Sequence, residues 1–168
     1  MPYVKPDPWS FTVSSGTFDS EVAVRLRAAV RVELNGLLAG PDRGAVVEAP
    51  DVVVLFVARD SAGVPVGAAG LVAAGDGVYE IRHLFVRSDA RNLGVGEALV
   101  QHLVVAARGY GSPALVIETG MQAAVTVRFL ERFGFGRIAP FGPYRDNPQS
   151  LCFAYLIPPT DVRASHAS

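Results

Sequence analysis

The sequence predicts a single α/β domain over residues 1–168, in which helices cover the faces of a mixed β-sheet. Between positions 52 and 86, three apolar runs rich in β-branched residues follow one another, separated by glycine-containing turns. A fourth apolar run at 114–119 comes after a stretch with helical spacing, so it is expected to run parallel to the third. The 168 residues are 50% hydrophobic, which suffices for one sizeable core.

The N-terminal part is predicted to hold a lead-in and one helix. Residues 1–10 contain three prolines and are expected to be extended. A helix is expected to begin near Glu21, where Ser20 can cap it, and to end at Gly40. This helix would form a first helical layer.

A strand meander and a strand–helix–strand unit follow. The strands Val52–Ala58, Pro65–Ala74 and Tyr79–Val86 are predicted to pair in antiparallel fashion. A helix over 96–109 then leads to the strand Ala114–Thr119.

The C-terminal part is predicted to complete the sheet with a helix over Met121–Arg132 and a strand over Leu151–Ile157, while residues 159–168 form a polar tail that frays.

The apolar positions of the 96–109 helix recur at steps of three and four residues, so one stripe should face the core. These positions are Val95, Ala98, Leu99, Leu103, Ala106 and Tyr110.

A glycine turn joins the third predicted strand to this helix, in the segment Arg91-Asn-Leu-Gly94-Val-Gly96. The first backbone N–H groups of a helix have no intrahelical partner and carry the positive end of the helix dipole, which suits a phosphate. Gly94 and Gly96 remove Cβ atoms that would keep a ligand from the backbone. Arg91 adds a positive charge beside the opening. The segment therefore predicts a pyrophosphate-binding loop.

Two other phosphate loops do not fit this segment. A P-loop ends in Gly-Lys-Ser/Thr, whereas Glu97 follows Gly96 here. A dinucleotide-binding loop needs a third glycine where Leu99 stands. The remaining pattern, R-x-x-G-x-G after a strand, resembles the pyrophosphate loop of the GNAT superfamily of acyl-CoA-dependent N-acetyltransferases.

Further segments resemble that family in order and spacing, and together they cover residues 78–136. Val86-Arg-Ser-Asp-Ala-Arg91 precedes the loop, Ala114–Gly120 is similar to the next strand, and Phe129-Leu-Glu-Arg-Phe-Gly134-Phe135 is similar to the helix-end motif. The tail Pro140–Phe153 also resembles a bacterial branch of the family.

The resemblance implies a GNAT-like fold, with a mostly antiparallel central sheet whose two parallel central strands splay apart. It also implies acetyl-CoA as co-substrate in that gap, with its pyrophosphate on the glycine loop and its pantetheine bonded to the strand backbone as an added strand would be. The cofactor-binding residues that the resemblance implies are Leu84, Phe85, Val86, Arg91, Asn92, Leu93, Gly94, Val95, Gly96 and Glu97.

Glu80 is the candidate catalytic base. Many relatives carry a glutamate at this place on the central strand, where it accepts the amine proton, often through water. A strand carboxyl buried near a cleft could have the raised pKa that a base needs at neutral pH. The alternative is an exposed carboxylate that only pairs with Arg82, two residues away on the same face. The sequence leaves both interpretations open.

The proton donor to the departing thiolate is where this chain departs from the family. The tyrosine of the usual Leu-Tyr-x-x-x-Gly-Phe motif falls at Leu130, and the asparagine that bonds pantetheine falls at Ala123. Tyr144 is the candidate catalytic acid in its place, acting from the other side of the cleft. Its alternatives are an aromatic wall of the substrate site or a packed core residue.

The remaining reactive side chains favour structural roles. His83 is expected on the face opposite Glu80 unless a bulge intervenes. Cys152 is expected to be a small buried side chain, and Glu118 is expected to anchor backbone at a strand end. Three dispersed histidines and one cysteine predict no metal site.

Composition limits partners and location. Fifteen basic and sixteen acidic residues give a net charge of −1, which provides no global field for nucleic acid or an anionic membrane. A single cysteine excludes an internal disulfide, and the N-terminus has no basic-plus-apolar leader, so a cytoplasmic location is expected. No apolar run approaches the ~20 residues of a membrane-spanning helix.

Two functions are compatible with these features. The first is an N-acetyltransferase that acts on a primary amine of a small molecule or peptide by direct attack in a ternary complex. The second is a non-catalytic acyl-CoA-binding module. We favour the enzyme, because a thiolate can leave with a proton from water when the family tyrosine is missing. The amine acceptor and the oligomeric state stay open, with a homodimer among the options.

Overall fold

The described part of the chain forms one seven-stranded sheet and two α-helices. The structure, a computed structural model, describes residues 10–16, residue 28 and residues 52–159. The strands are β1 (Phe11–Gly16), β2 (Val52–Asp60), β3 (Pro65–Gly75), β4 (Val78–Val86), β5 (Ala114–Gly120), β6 (Gly136–Ile138) and β7 (Ser150–Leu156), and the helices are α1 (Val95–Gly109) and α2 (Ala124–Phe133). The strand order across the sheet is β1-β2-β3-β4-β5-β7-β6.

The meander and the parallel pair agree with the sequence. Strands β2, β3 and β4 pair in antiparallel order, and β4 pairs with β5 in parallel. The β4–β5 ladder has two residue pairs, Tyr79 with Leu115 and Glu80 with Val116, although the two strands have nine and seven residues. The strands therefore separate beyond Glu80, and the predicted mixed sheet with splayed central strands is confirmed.

A β-bulge interrupts β4 just past the point of separation. Arg82 pairs with Gly70 and Phe85 pairs with Ala68, so two residues of β4 lie opposite Ala69 alone. His83 is one of them and has a φ of 57°. A bulge bends its strand and re-aims the side chains after it. The simple alternation that places His83 opposite Glu80 therefore does not hold in this strand.

The main core lies between the sheet and α1. The stripe predicted for α1 is partly wrong, because Tyr110 is exposed and Ala98 and Ala106 are only half-buried. Its buried face is rotated toward the sheet and comprises Val95, Leu99, Val100, Leu103, Val104 and Ala107. Val100 and Val104 thus take the buried places that the prediction gave to alanines and a tyrosine. Their side chains fill the space between the helix and strands β2, β3 and β4.

Other boundaries differ from the sequence prediction in small ways. Helix α2 begins at Ala124 instead of Met121, because residues 121–123 form a turn in which the Ala123 amide donates to the Gly120 carbonyl. Strands β1 and β6 are additions to the predicted set.

Some predictions fall on parts of the chain that the structure does not describe. The predicted helix from Glu21 to Gly40 lies outside the described residues apart from Ala28, as do nearly all of residues 1–10 and most of the tail. The single domain over 1–168 stays a prediction. Within the described residues, neither helix has the length and apolar character needed to cross a membrane.

Candidate active site

The glycine loop leads from the end of β4 into the first turn of α1. Gly94 precedes the helix with a φ of 83°, and Asn92 has a φ of 61°, so the chain turns through the left-handed region twice. A Cβ built at Gly94 would meet no atom of the described residues within 4 Å. Open space therefore lies in front of this backbone, beside the helix N-terminus, where an anion is favoured.

Two charged side chains flank the loop. The Arg91 Nε donates to the Val86 carbonyl at 2.9 Å, which joins the loop to the end of β4 and keeps the positive charge beside the opening. The carboxylate of Glu97 lies 3.5 Å from Arg132 of α2. Both side chains of that pair are exposed, so the pair contributes little to stability, but it draws the negative charge of Glu97 toward α2.

The second glycine of the loop has a packing role. A Cβ at Gly96 would lie 3.4 Å from the Phe129 ring and 3.6 Å from the Val86 side chain. Gly96 thus lets α2 approach the start of α1 closely. Within the same segment, Val95 is buried and Leu93 is exposed, so Val95 would contribute its backbone and not its side chain to any ligand.

The bulged end of β4 supplies the backbone that the resemblance assigns to pantetheine. Leu84 and Val86 pack against the core under α1, whereas Phe85 packs with the smaller cluster on the other face of the sheet. This part of β4 lies beyond its last pair with β5. The backbone there faces a gap in the sheet, which is the geometry that an extended ligand needs in order to add as a strand.

The two candidate catalytic residues meet at the top of that gap. Glu80 is the last β4 residue paired with β5, and its side chain is buried, with the residue 5% exposed. The Tyr144 hydroxyl, from the short 3-10 turn Gly142–Tyr144, donates to Glu80 Oε1 at 2.8 Å. Tyr144 itself is 4% exposed. The fold therefore brings together two residues that are 64 positions apart in the chain.

Arg82 completes the cluster. Its Nε lies 2.7 Å from the same Glu80 oxygen, and its guanidinium carbon lies 5.5 Å from the centre of the Tyr144 ring. The predicted pairing of Glu80 with Arg82 is therefore present. The alternative of an exposed carboxylate is wrong, because the Tyr144 segment and neighbouring strands cover Glu80.

Burial dominates the electrostatics of this cluster. Desolvation raises the pKa of Glu80 above its usual value, while the charge of Arg82 and the hydrogen bonds from Tyr144 and Arg82 act in the opposite direction. Burial also raises the pKa of Tyr144, and the negative charge of Glu80 raises it further. Glu80 is thus made a stronger base than an exposed glutamate, and Tyr144 holds its proton more tightly than an exposed tyrosine.

A second pair lies on the same face, farther along β5. The Ser150 hydroxyl donates to Glu118 Oε1 at 2.7 Å. Glu118 was expected to anchor backbone at a strand end, and its hydrogen-bond partner there is instead the Ser150 side chain at the start of β7. Cys152, opposite Glu118 in the β5–β7 ladder, is 1% exposed, and burial raises the pKa of its thiol, as suits a packed residue.

The two positions that depart from the family motif lie on or beside α2. Leu130 is 0% exposed and belongs to the main core. Ala123 precedes the helix and makes no side-chain cap. Among the described residues, no cluster of three metal-binding side chains is present.

Strand alternation predicts Arg82 only as a partner of Glu80. Its position over the Tyr144 ring has no local sequence signal, because the contact joins β4 to a segment about sixty residues later. The two-residue spacing of Glu80 and Arg82 was the available signal that both charges share one face.

Comparison with known proteins identifies a family and a fold. A sequence model of the acetyltransferase (GNAT) family matches residues 31–135. An IAA acetyltransferase from Azospirillum brasilense is 34% identical over 102 residues, which cover 61% of this chain and 66% of that protein. The curated relatives that match are covered over 66%, 55% and 35% of their own lengths, so the chain spans less than two thirds of them.

Solved structures share the fold at low sequence identity. A Klebsiella pneumoniae protein assigned to the acyl-CoA N-acyltransferases superposes with a TM-score of 0.76 at 21% identity, covering 88% of this chain and 97% of that chain. An N-acetylglutamate synthase from Neisseria gonorrhoeae, complexed with coenzyme A and N-acetylglutamate, superposes with a TM-score of 0.66 at 24% identity, covering 87% of this chain and 35% of that chain.

Proposed function

Because this chain belongs to the acetyltransferase (GNAT) family, whose enzymes use acetyl-CoA as co-substrate, we propose that it moves an acetyl group from acetyl-CoA to a primary amine. The acceptor is a small molecule or a peptide, and the amine attacks directly in a ternary complex. The observation that carries this proposal is the hydrogen bond between Tyr144 and the buried Glu80, located where β4 and β5 separate.

The residues at the loop and along β4 fit acetyl-CoA. The open, left-handed backbone at Gly94 and the helix N-terminus behind it would hold the pyrophosphate. Arg91 supplies positive charge there, and the backbone of Leu84 to Val86 would pair with pantetheine. When bound, acetyl-CoA supplies the activated acetyl group, and the protein supplies the proton transfers.

Glu80 accepts the proton of the attacking amine in this proposal. Its Oε1 accepts a hydrogen bond from Tyr144 and forms an ion pair with Arg82, and no hydrogen bond to Oε2 occurs among the described residues. Oε2 is therefore available to the amine, directly or through water. The raised pKa of Glu80 strengthens it as a base, which general base catalysis near neutral pH requires.

Tyr144 returns the proton to the leaving sulfur. Because its own pKa is raised, Tyr144 gives up its hydroxyl proton only as it receives another from Glu80. Once protonated, the Glu80 carboxyl can donate to the Tyr144 oxygen, and the Tyr144 hydroxyl can turn toward the sulfur. The amine proton reaches Glu80, the Tyr144 proton reaches sulfur, and the Glu80 proton restores Tyr144, so both residues return to their starting states.

The direct test is release of free coenzyme A thiol from acetyl-CoA across a panel of primary amines. We expect amine-dependent release, and acetylated product in equal amount by mass spectrometry. Release that never depends on an amine, with intact acetyl-CoA binding by calorimetry, would instead support a non-catalytic acyl-CoA-binding module. The observation that favours this second candidate is the fully buried Leu130 at the family tyrosine position.

The other expectations about partners stay predictions from the sequence. They are the absence of nucleic-acid and membrane partners, a cytoplasmic location, and an oligomeric state that includes a homodimer among its options. Retardation of labelled DNA, flotation with anionic vesicles and sedimentation velocity would test them.

A further inference from the structure

Arg82 has hydrogen-bonding capacity that its contacts with the described residues do not use. The guanidinium offers five N–H donors in a planar fork. Its Nε pairs with Glu80 Oε1 at 2.7 Å, and no hydrogen bond to Nη1 or Nη2 occurs among the described residues. The Arg82 side chain is 17% exposed, and of its nitrogens only Nε is both buried and without a hydrogen bond among the described residues, so the two Nη groups are accessible to a ligand.

The surroundings of Arg82 determine which ligand the free fork would accept. Tyr144 lies against its guanidinium, and Glu80 and Glu118 both influence the hydroxyl of Tyr144 electrostatically. Two carboxylates and one guanidinium make the local charge negative when all three are ionised. A carboxylate, with one negative charge and two oxygens matched to the guanidinium fork, suits this site better than a phosphate, which carries about −1.5 to −2 at pH 7.

We propose that Arg82 binds a carboxylate of the acceptor, and that the acceptors of this enzyme are therefore amines that carry a carboxylate close to the amine. This inference rests on the proposed function. Arg82 and Glu80 adjoin through one ion pair, so a compact amino acid can bring its amine to Glu80 Oε2 and its carboxylate to the Arg82 fork. Burial strengthens both contacts, because the effective dielectric constant inside the protein is lower than that of water.

The wild-type protein provides the first test. Thiol release is measured with each of a set of free amino acids, with the corresponding carboxamides and with the corresponding decarboxylated amines, and rates are compared per unprotonated amine. We expect kcat/KM for the free amino acid to exceed that for its carboxamide by about 10- to 100-fold, as loss of a hydrogen bond to a charged group implies. Equal values, or acetylation of the uncharged amines alone, would overturn the inference and leave the proposed function standing. Absence of thiol release with every amine would overturn the proposed function itself.

Arg82 variants then assign the preference to this side chain. In Arg82→Gln, the ratio of the two kcat/KM values should fall to near 1, whereas Arg82→Lys should retain part of it because it keeps the charge without the fork. The ratio is the readout because a change in the basicity of Glu80 affects both substrates alike. Arg59→Gln, the same substitution on β2, is the matched control and should keep the wild-type ratio. An unchanged ratio in a folded Arg82→Gln variant would show that Arg82 does not bind the acceptor. If the glutamine variant does not fold, an unchanged ratio in Arg82→Lys would show the same.

Discussion

Removal of the hydroxyl oxygen of Tyr144 separates the effect of this residue on Glu80 from its proposed part in proton transfer. Tyr144→Phe keeps the ring that lies against Arg82 and deletes the hydroxyl that donates to Glu80 Oε1. That hydrogen bond lowers the pKa of Glu80, so its loss raises a pKa that burial has already raised. A hydrogen bond to a charged group contributes about 1.5–3 kcal/mol, so its loss should disfavour the ionised form of Glu80 by an energy of that order.

The sign of the pH effect follows from the proposed role of Glu80 as a base. Glu80 must be ionised to accept the amine proton, so kcat/KM falls as the pH drops below its pKa. In Tyr144→Phe this acid limb should move to higher pH, and the rate at the optimum should fall by about 10²-fold through loss of the proton donor. The assay is thiol release from pH 5 to 10 with the best amine. Tyr155→Phe is the control. It makes the same change at a tyrosine on the face of the sheet opposite Glu80, so it should leave the pH profile unaltered.

Two results would refute this reasoning. An acid limb that stays in place means that the Tyr144 hydroxyl does not influence the catalytic base, so Glu80 is not that base. An acid limb that moves while the optimal rate is unchanged means that Tyr144 tunes Glu80 and that water protonates the thiolate.

Three further substitutions test other parts of the site. Glu80→Gln should lower kcat by about 10²- to 10⁴-fold at neutral pH with acetyl-CoA affinity unchanged by calorimetry, because the amide keeps the shape but accepts no proton; a wild-type rate and pH profile would return Glu80 to a structural role. Gly94→Asp should abolish acetyl-CoA binding. Gly94→Asn, which tolerates the same backbone conformation without the charge, should retain part of that binding. Equal affinities of both variants and wild type would show that the loop does not bind acetyl-CoA. Leu130→Tyr should destabilise the protein by about 1–3 kcal/mol in urea unfolding without raising the rate, because Leu130 is fully buried, and Leu130→Met should cost less; a faster and equally stable tyrosine variant would show that this position can serve as the acid.

The parts of the fold that the sequence predicts are those with strong local patterns. The three strands between Val52 and Val86 have continuous β-branched or small apolar runs with glycine at each turn, and local chemistry suffices to place them. Strand β1 has a weaker signal, in which half-buried Phe11 and Val13 alternate with exposed polar residues next to a proline-rich segment. Strand β6 has three residues, too few for any periodic pattern.

The site divides in the same way. The predicted phosphate loop is a contiguous motif, so its residues and its position at a helix N-terminus follow from the sequence. The contact between Tyr144 and Glu80 depends on where a 3-10 turn lies over the sheet, and no local pattern encodes it. The bulge at His83 is likewise set by pairing with β3 and by the separation of β4 from β5. Both residues could be nominated from the sequence, but their hydrogen bond could not.

The short ladder between β4 and β5 divides the sheet into two plates, one built from β1 to β4 and the other from β5, β6 and β7. Backbone hydrogen bonds fix the strand spacing within each plate, but beyond Glu80 they do not fix the distance between the plates. Helix α1 crosses the divide and packs against strands of both, with Leu99 and Leu103 fully buried beneath it. Because packed interiors transmit small changes in volume, we expect substitutions of these two leucines to alter the distance between the plates. Divergence at such core positions would adjust the fit of the acyl donor without altering any residue that touches it.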